Sequence, residues 1–303
     1  MTQIDNNQLL KKLRPSISYV DGSPNYDLIS ETFFSQKIVV KFHFQQTYLS
    51  EHRLDNAAFE GCVFTKCDLS KLQAKNTTFQ NCVFIECNIV DSSFIDGIFI
   101  NTHFENCDLS RSSFKNLTFK FSSIEHSKTS DFSIKECEVN FAMLQNELTN
   151  QISNLDATNI IFSDLKKFNN ALDPSDSYWI KERKEIFMAA FNYFELINPK
   201  YNLTKEFQDN DYGICKLKNK YLEFQFHQDR YTESINRSII NLETGMIYNY
   251  GYLIFSKNIS EKENIAPSDF LNRELAITIS IKNIVYLADK YLAEIFNGDF
   301  TKV

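Results

Sequence analysis

Paired cysteines recur along the first half of the chain. The phrase GCVFTKC occupies residues 61–67, and NCVFIEC occupies residues 81–87, twenty residues later. Four thiols in two matched pairs could bind zinc, form disulfides or serve redox chemistry. Zinc needs four ligands converging tetrahedrally at about 2.3 Å, and its usual signature is a close Cys-x-x-Cys pair. Here four residues separate the cysteines of each pair, so the spacing does not favour a metal site.

Other residue types with catalytic potential do not form a known motif. The sequence lacks HExxH, GxGxxG, Walker and G-x-S-x-G patterns. His227 beside Asp229 could act as an acid–base pair, although two residues at the edge of a turn are the simpler interpretation. Cys215 has no base near it in sequence, so we interpret it as structural. We therefore expect no enzyme, no metal and no cofactor. The five histidines are scattered: His43, His52, His103, His126 and His227.

Composition limits the classes of partner. The chain has 303 residues and a formal charge of −7. This acidic balance argues against general nucleic-acid binding, which depends on Lys and Arg neutralising phosphates. No secretory signal and no apolar run of membrane-spanning length is present. We therefore expect a cytoplasmic protein with reduced thiols, and neither a membrane nor a nucleic acid as partner.

A period of five residues runs through the segment that carries the cysteines. From Leu54 to Leu144, nearly every fifth residue is large and apolar, and the residue two positions before it is usually small. Polar residues fill most of the remaining positions. A strand repeats every two residues and an α-helix every 3.6, so neither explains a period of five. The pattern therefore indicates a repeat architecture.

This segment resembles the pentapeptide repeat proteins, whose pattern is a small residue, a polar one, Leu or Phe, and two mostly polar residues. The resemblance covers about a third of the chain and implies a right-handed quadrilateral β-helix. In that fold four pentapeptides make one square coil, and residues twenty apart stack. Reading the sequence at intervals of twenty then gives two ladders of inward rings: Phe59, Phe79, Phe99 and Phe119, and Phe64, Phe84 and Phe104.

The same fold assigns positions to the cysteines. Cys67, Cys87 and Cys107 would form one ladder, and Cys62 and Cys82 another, all at the small inward position. Cysteines on different sides of a square coil do not converge on a metal. We therefore interpret them as small packed side chains, which is how a buried free cysteine usually behaves.

Three regions follow from these patterns. We assign residues 1–50 to an N-terminal cap, 51–168 to the β-helix and 172–303 to an α+β domain. Past Leu144 the phase slips, and Leu155, Ile160 and Leu165 resume the spacing one residue late. In the last region the periodicity predicts a helix over 177–197, four strands of an antiparallel meander within 212–255, and a helix over 269–296 that ends at Asn297-Gly298.

A role in binding is the remaining functional interpretation. The helix, meander, helix layout resembles small bacterial α+β proteins that act as immunity or antitoxin-type partners. Tyrosine is enriched where proteins meet other proteins, and Tyr248, Tyr250 and Tyr252 alternate along the last predicted strand. These tyrosines are candidate partner-binding residues, although a covering helix would bury them instead.

Three functions compete at this point. The first is a non-catalytic bacterial interaction protein of immunity type, which binds and neutralises a cognate toxin. The second follows from relatives of the repeat family that resemble duplex DNA and bind topoisomerase. Residues 51–150 hold fourteen acidic and nine basic residues, a net charge of 9 − 14 = −5, which fits that role. The third is a toxin or effector with an unrecognised enzymatic C-terminal domain.

Overall fold

The chain divides into two compact units in the computed structural model. The first unit comprises Met1–Asp164 together with Glu263–Pro267, and the second comprises Leu165–Lys262 and Ser268–Val303. No helix in the described part of the chain is both long and apolar enough to span a membrane. The structure describes residues 1–13, 18–20, 23–25, 30–153, 156–163, 198–208, 214–228, 235–250, 253, 259–265, 282–283 and 285–301.

Parallel strands of three residues build the first unit into a four-faced solenoid of about five turns. Each strand pairs with the strand twenty residues away, as in Phe64↔Phe84↔Phe104. This confirms the predicted β-helix. Face 1 contains Lys37–Val40, Ala58–Glu60, Thr78–Gln80, Ile98–Ile100, Thr118–Lys120 and the start of Glu138–Gln145. Face 2 contains His43–Gln45, Val63–Thr65, Val83–Ile85, His103–Glu105, Ser123–Glu125 and the end of Glu138–Gln145.

The other two faces are less regular. Face 3 is joined by single parallel bridges from Tyr48 to Asp68 and onward at steps of twenty to Lys128. Face 4 contains Gln73–Lys75, Ser93–Ile95, Ser113–Lys115, Ser133–Lys135 and Ile152–Ser153.

A left-handed residue turns the chain at every corner. Every fifth residue from Gln36 to Phe141 has a positive φ, between 48° and 65°. This conformation costs an L-residue free energy, least for Gly, Asn and Asp. Hydrogen bonds between coils offset the cost, because the corner amides from Gln36 to Phe121 donate to the next coil: the Lys66 N–H bonds the Ile85 carbonyl at 2.9 Å.

Stacked side chains fill the interior. The ring of Phe84 lies parallel to that of Phe64 at 4.6 Å and to that of Phe104 at 4.7 Å. Phe59 stacks on Phe79 at 5.0 Å in the same way. Burying one such side chain is worth roughly 1.5 to 3 kcal/mol, so the columns supply the main stabilisation. The two predicted ladders, Phe59, Phe79, Phe99, Phe119 and Phe64, Phe84, Phe104, are all buried.

At its N-terminal end the solenoid begins earlier than the sequence boundary at residue 50. Lys37–Val40 and His43–Gln45 pair with the strands of the next coil, so only the residues before them precede the coils. A helix, Asn6–Leu13, buries Leu9 in the solenoid core. Asp5 caps it by accepting hydrogen bonds from the backbone amides of Asn7 and Gln8 at 2.7 and 3.1 Å. Thr2–Gln3 adds a parallel strand to face 1, and Ser18–Val20 pairs with Ser23–Asn25 as a separate hairpin.

The far end closes with a shorter turn. A 3₁₀ helix, Asn146–Asn150, replaces part of a coil, and the strands Ile152–Ser153 and Asp156–Ser163 follow it. The register Ile134↔Ile152, Val139↔Ala157 and Leu144↔Phe162 advances by eighteen residues instead of twenty. Ile160 is therefore not opposite a residue of the large apolar column, since it pairs with Ala142, a buried residue of the small column. Leu155 and Leu165 lie outside the described residues.

The second unit contains a five-stranded antiparallel sheet. Four of its strands confirm the predicted meander, and the first was missed. This first strand, Thr204–Gln208, has Phe207 as its only aromatic or aliphatic residue, so it shows no alternation of apolar and polar residues. Phe224 packs against Tyr250 and Phe296 on the buried side. The strands in order are Thr204–Gln208, Ile214–Lys218, Leu222–Gln228, Ile235–Asn241 and Ile247–Asn249.

Short helices accompany this sheet in the described residues. They are Asn198–Tyr201, Ile259–Glu263 and Ala293–Phe296, with residues 285–291 also helical. The predicted helix over 177–197 and residues 269–281 of the last predicted helix lie outside the described residues. The chain leaves the last helix at Gly298 with φ +94°, where the sequence predicted the exit. A Cβ at Gly298 would lie 2.6 Å from the Tyr221 ring, so glycine is required there for space as well as for conformation.

Candidate functional site

The cysteines of the β-helix occupy positions where a small side chain donates a hydrogen bond to a backbone carbonyl of the preceding coil. The Ser92 hydroxyl donates to the Leu69 carbonyl at 2.8 Å and accepts from the Leu72 amide at 3.1 Å. The Cys87 thiol donates to the Phe64 carbonyl at 3.3 Å in the equivalent place. Serine, threonine and cysteine alternate in these columns because each is small and carries one such donor.

These thiols are unsuited to chemistry. All seven cysteines are buried and unpaired by disulfides: Cys62, Cys67, Cys82, Cys87, Cys107, Cys137 and Cys215. Burial raises the pKa of the Cys82 and Cys87 thiols, and the neighbouring Cys87 thiol with burial raises that of Cys67. A raised pKa keeps the thiol protonated, whereas the nucleophile and the metal ligand are the thiolate. Among the described residues, no group of three or more His, Cys, Asp or Glu side chains is placed to hold a metal ion.

The histidines are distributed over different parts of the fold. His43 on face 2 contacts the Thr65 hydroxyl at 2.9 Å, and burial lowers its pKa. His126 lies 3.4 Å from the Glu105 carboxylate. His227 belongs to the strand Leu222–Gln228, and Asp229 lies outside the described residues.

The interpretation of three tyrosines as one exposed face needs correction. The strand Ile247–Asn249 ends before Tyr250, so the three residues do not alternate along one strand. Tyr250 is 1% exposed, packs on the Phe224 ring and lies under the Arg237 guanidinium. Burial raises its pKa, as expected for a phenol inside the unit. Tyr248 is half-buried and stacks on the Phe300 ring at 5.7 Å. Tyr252 lies outside the described residues.

Charges of alternating sign follow the corner between faces 3 and 4. Glu51, Lys71, Asp91, Arg111 and Asp131 lie at successive steps of twenty. Lys71 contacts Glu51 at 2.8 Å, and Arg111 holds Asp91 through two hydrogen bonds of 2.7 and 2.8 Å. Further pairs lie on other faces and corners of the coils: Arg53–Asp55, Lys66–Glu86, Lys115–Glu136, Lys120–Glu138 and Lys128–Asp108. This surface is therefore charged in both signs without a continuous field of either.

Apolar side chains cluster on the outside of the second unit. Tyr221, Leu242, Met246 and Ile247, which we call the hairpin tip, are 37%, 38%, 56% and 69% exposed. They are neighbours because the Leu242 amide bonds the Tyr221 carbonyl at 2.9 Å and Met246 and Ile247 follow the turn after Leu242. Single exposed apolar residues are ordinary, whereas large contiguous apolar patches are typical of interaction surfaces.

The turn that carries the hairpin tip is well ordered by its sequence. The Asn241 side-chain oxygen accepts from the amides of Glu243 and Thr244 at 2.9 and 3.2 Å. Gly245 then takes φ +72°. Asparagine before the turn and glycine at its left-handed position fix this hairpin. The five-residue and strand patterns do not reveal the hairpin tip, and its one signal in the sequence is the apolar pair MI directly after ETG.

Residues 43–81 match the family model described as pentapeptide repeats, in eight copies. No match was found among curated proteins.

Among solved structures, trypsin-treated QnrB1, a plasmid-mediated fluoroquinolone resistance protein, aligns at 16% identity over 44% of this chain and 86% of its own, with a TM-score of 0.22. HetL, involved in heterocyst differentiation regulation in the cyanobacterium Nostoc, aligns at 10% over 37% and 59%, with 0.18. Rfr23 from the cyanobacterium Cyanothece aligns at 13% over 39% and 65%, with 0.16.

The sequence period, the square coil and the family model agree on this part of the molecule. The coils match the family model from His43 to Asn81, and the same twenty-residue register continues beyond the matched segment to Leu144. This part of the chain is a run of pentapeptide repeats folded as a four-faced β-helix.

Proposed function

We propose that the protein is a non-catalytic bacterial interaction protein of immunity type, which binds and neutralises a cognate toxin in the cytoplasm. The observation that carries this proposal is the hairpin tip. Three of its four apolar side chains, Leu242, Met246 and Ile247, are exposed to solvent on or beside a turn held by the Asn241 side chain. An ordered apolar cluster of this kind binds a protein with little loss of conformational entropy.

The β-helix acts through its outer surface in this proposal. Its interior is occupied by stacked rings and small side chains, which leaves no room for a substrate. Its outward side chains repeat at fixed intervals along each face, so the coils form a rigid support or a second contact surface.

The distribution of charge does not support the alternative of a DNA-like, topoisomerase-binding surface. Duplex DNA presents one sign of charge at regular intervals. On this β-helix, Lys and Arg are interleaved with carboxylates, as in the Glu51, Lys71, Asp91 and Arg111 column. Two acidic residues counted in the net charge of the segment, Glu105 and Glu125, are only 3% exposed.

Co-purification tests the proposal. The protein and the product of the adjacent gene are expressed together, and we expect a stoichiometric complex that abolishes the neighbour's toxicity. The double variant Met246→Asp/Ile247→Asp should weaken binding by roughly 30-fold or more, since a central apolar contact is typically worth 2 kcal/mol or more. Glu243→Ala on the same turn is the matched control and should bind normally.

Two results would contradict the immunity assignment. Toxicity of this protein when expressed alone would instead indicate an effector. Inhibition or protection of gyrase supercoiling on titration, without any toxin partner, would instead indicate the topoisomerase-binding role.

A further inference from the structure

Gly61 is the only glycine among the left-handed corners from residue 36 to 141. The other corners adopt the same φ with Asn, Asp, Lys, Glu and even Phe, so the backbone conformation alone does not require glycine here. What differs is the space beside it. A Cβ at Gly61 would overlap the backbone carbonyl of Asn264. The glycine therefore admits a segment that is distant in sequence and belongs to the same compact unit.

Polar side chains from two coils hold that segment. Asn264 donates its side-chain amide to the Glu60 carboxylate at 2.8 Å. Gln80 donates to the Glu263 carboxylate at 3.3 Å, and the Asn81 side-chain amide donates to the Glu263 backbone carbonyl. Asn81 is 2% exposed and Glu263 is 4% exposed. The contact thus recognises a main-chain carbonyl, a carboxylate and an amide together.

A chain of hydrogen bonds orients the Asn81 side chain for this contact. The Asn101 amide donates to the Asn81 oxygen at 2.8 Å, which directs the Asn81 NH₂ group toward Glu263. The Asn101 oxygen is 3.1 Å from His103 Nε2, and His103 Nδ1 is 3.0 Å from the Ser123 hydroxyl. With the proton on Nε2, every donor points the same way, from Ser123 to Glu263. Aligned donors strengthen one another in a buried site.

We propose that Glu60, Gly61, Gln80 and Asn81 form a peptide-binding site on the β-helix, and that the Glu263–Asn264 segment occupies it as a displaceable strap. The contacts that hold the strap are hydrogen bonds, which water or another peptide can replace. A second peptide with a Glu-Asn pair offers the same three groups, so it competes for the site.

Hydrogen–deuterium exchange on the full chain tests the strap. Gly61→Asn keeps a residue type that other corners carry at the same φ, and adds only the side chain that overlaps the strap. Asn81→Asp replaces the donor by an acceptor facing the Glu263 carbonyl. Both should accelerate exchange in residues 259–265 by several-fold to about tenfold. The matched controls Gln46→Asn and Asn76→Asp change exposed corners and should leave that exchange unchanged.

A binding measurement tests the site directly. A labelled peptide of residues 259–267 is titrated into the full chain carrying Glu263→Ala/Asn264→Ala, whose strap has lost both side-chain contacts and keeps only the bond from Asn81 to the main-chain carbonyl of residue 263. We expect saturable binding, at least tenfold weaker binding when Gly61→Asn is added, and little binding to the unaltered chain. Unchanged exchange in both strap variants, or no peptide binding to the strap-deficient chain, would overturn the proposal. Glu263→Ala and Asn264→Ala lie on the strap and leave the β-helix unaltered, so a folding defect in Gly61→Asn does not prevent the titration of the strap-deficient chain.

Discussion

Removing one ring from the centre of the β-helix should destabilise it strongly. Phe84 is sandwiched between Phe64 and Phe104 at 4.6 and 4.7 Å with nearly parallel planes, and it makes a T-shaped contact with Phe79 at 5.4 Å between ring centroids. Phe84→Ala removes contacts on both sides and leaves a cavity between rigid coils. We expect a loss of about 5 kcal/mol, the upper part of the usual range for Phe→Ala, because the neighbouring coils cannot collapse into the space.

Two further variants separate volume from stacking. Phe84→Leu restores most of the apolar volume without the parallel rings, and we expect it to cost about 1 to 3 kcal/mol. Val90→Ala removes apolar atoms from a half-buried position on face 3 and should cost less than about 1 kcal/mol.

Urea unfolding followed by far-UV circular dichroism measures these differences. Hydrogen exchange in the strands Val63–Thr65 and His103–Glu105 shows whether the loss of stability falls on the two coils that flank Phe84. This local readout is needed because the chain has two compact units and need not unfold in one step. A loss below about 1 kcal/mol for Phe84→Ala, with unchanged exchange in both flanking strands, would refute the view that interior stacking holds the coils together.

Three other predictions follow from single sites. Cys87→Ser should retain the fold with a change of less than about 1.5 kcal/mol, because its hydroxyl can donate to the same carbonyl as the thiol; thermal unfolding and the absence of co-purified zinc by elemental analysis check it. The hydrogen bond from Arg111 lowers the pKa of Asp91, so the stabilisation from this pair is present above the ordinary carboxyl pKa and is lost as the pH falls through the lowered pKa. Asp91→Asn should remove this loss of stability at acid pH when the free energy of unfolding is measured against pH, and an unchanged profile would contradict the prediction. Gly298→Ala should cost more than 1 kcal/mol, since it adds strain at positive φ and a clash with Tyr221, whereas equal melting temperatures would contradict the requirement for glycine.

The interior of the β-helix could be read from the sequence because its geometry repeats. A residue at a fixed position in each coil meets the same neighbours as its equivalent twenty residues later, so Phe64, Phe84 and Phe104 share one environment. The prediction failed where that repetition stops. The last turn takes eighteen residues because the 3₁₀ helix Asn146–Asn150 shortens it, and no local signal in the sequence gives its register.

The second unit was less predictable for a different reason. A meander shows alternation only where one side of each strand is apolar. The strand Thr204–Gln208 lacks that alternation, and Tyr250 follows a strand that has already ended. The burial of Tyr250 depends on Phe224, which lies well away in sequence, so a pattern along one strand could not reveal it.

Function must reside in residues that the repeat does not dictate. In each coil the inward columns are constrained by packing and the corners by backbone conformation, so most substitutions there change stability before they change binding. Gly61 is a glycine at a corner whose φ other residue types adopt elsewhere in the coils, so the backbone conformation does not require it. Met246 and Ile247 are exposed apolar residues beside a hairpin turn that needs only Asn241 and Gly245 for its conformation. Such departures are costly or neutral for the fold, so these are the positions at which the two proposed binding roles are best tested.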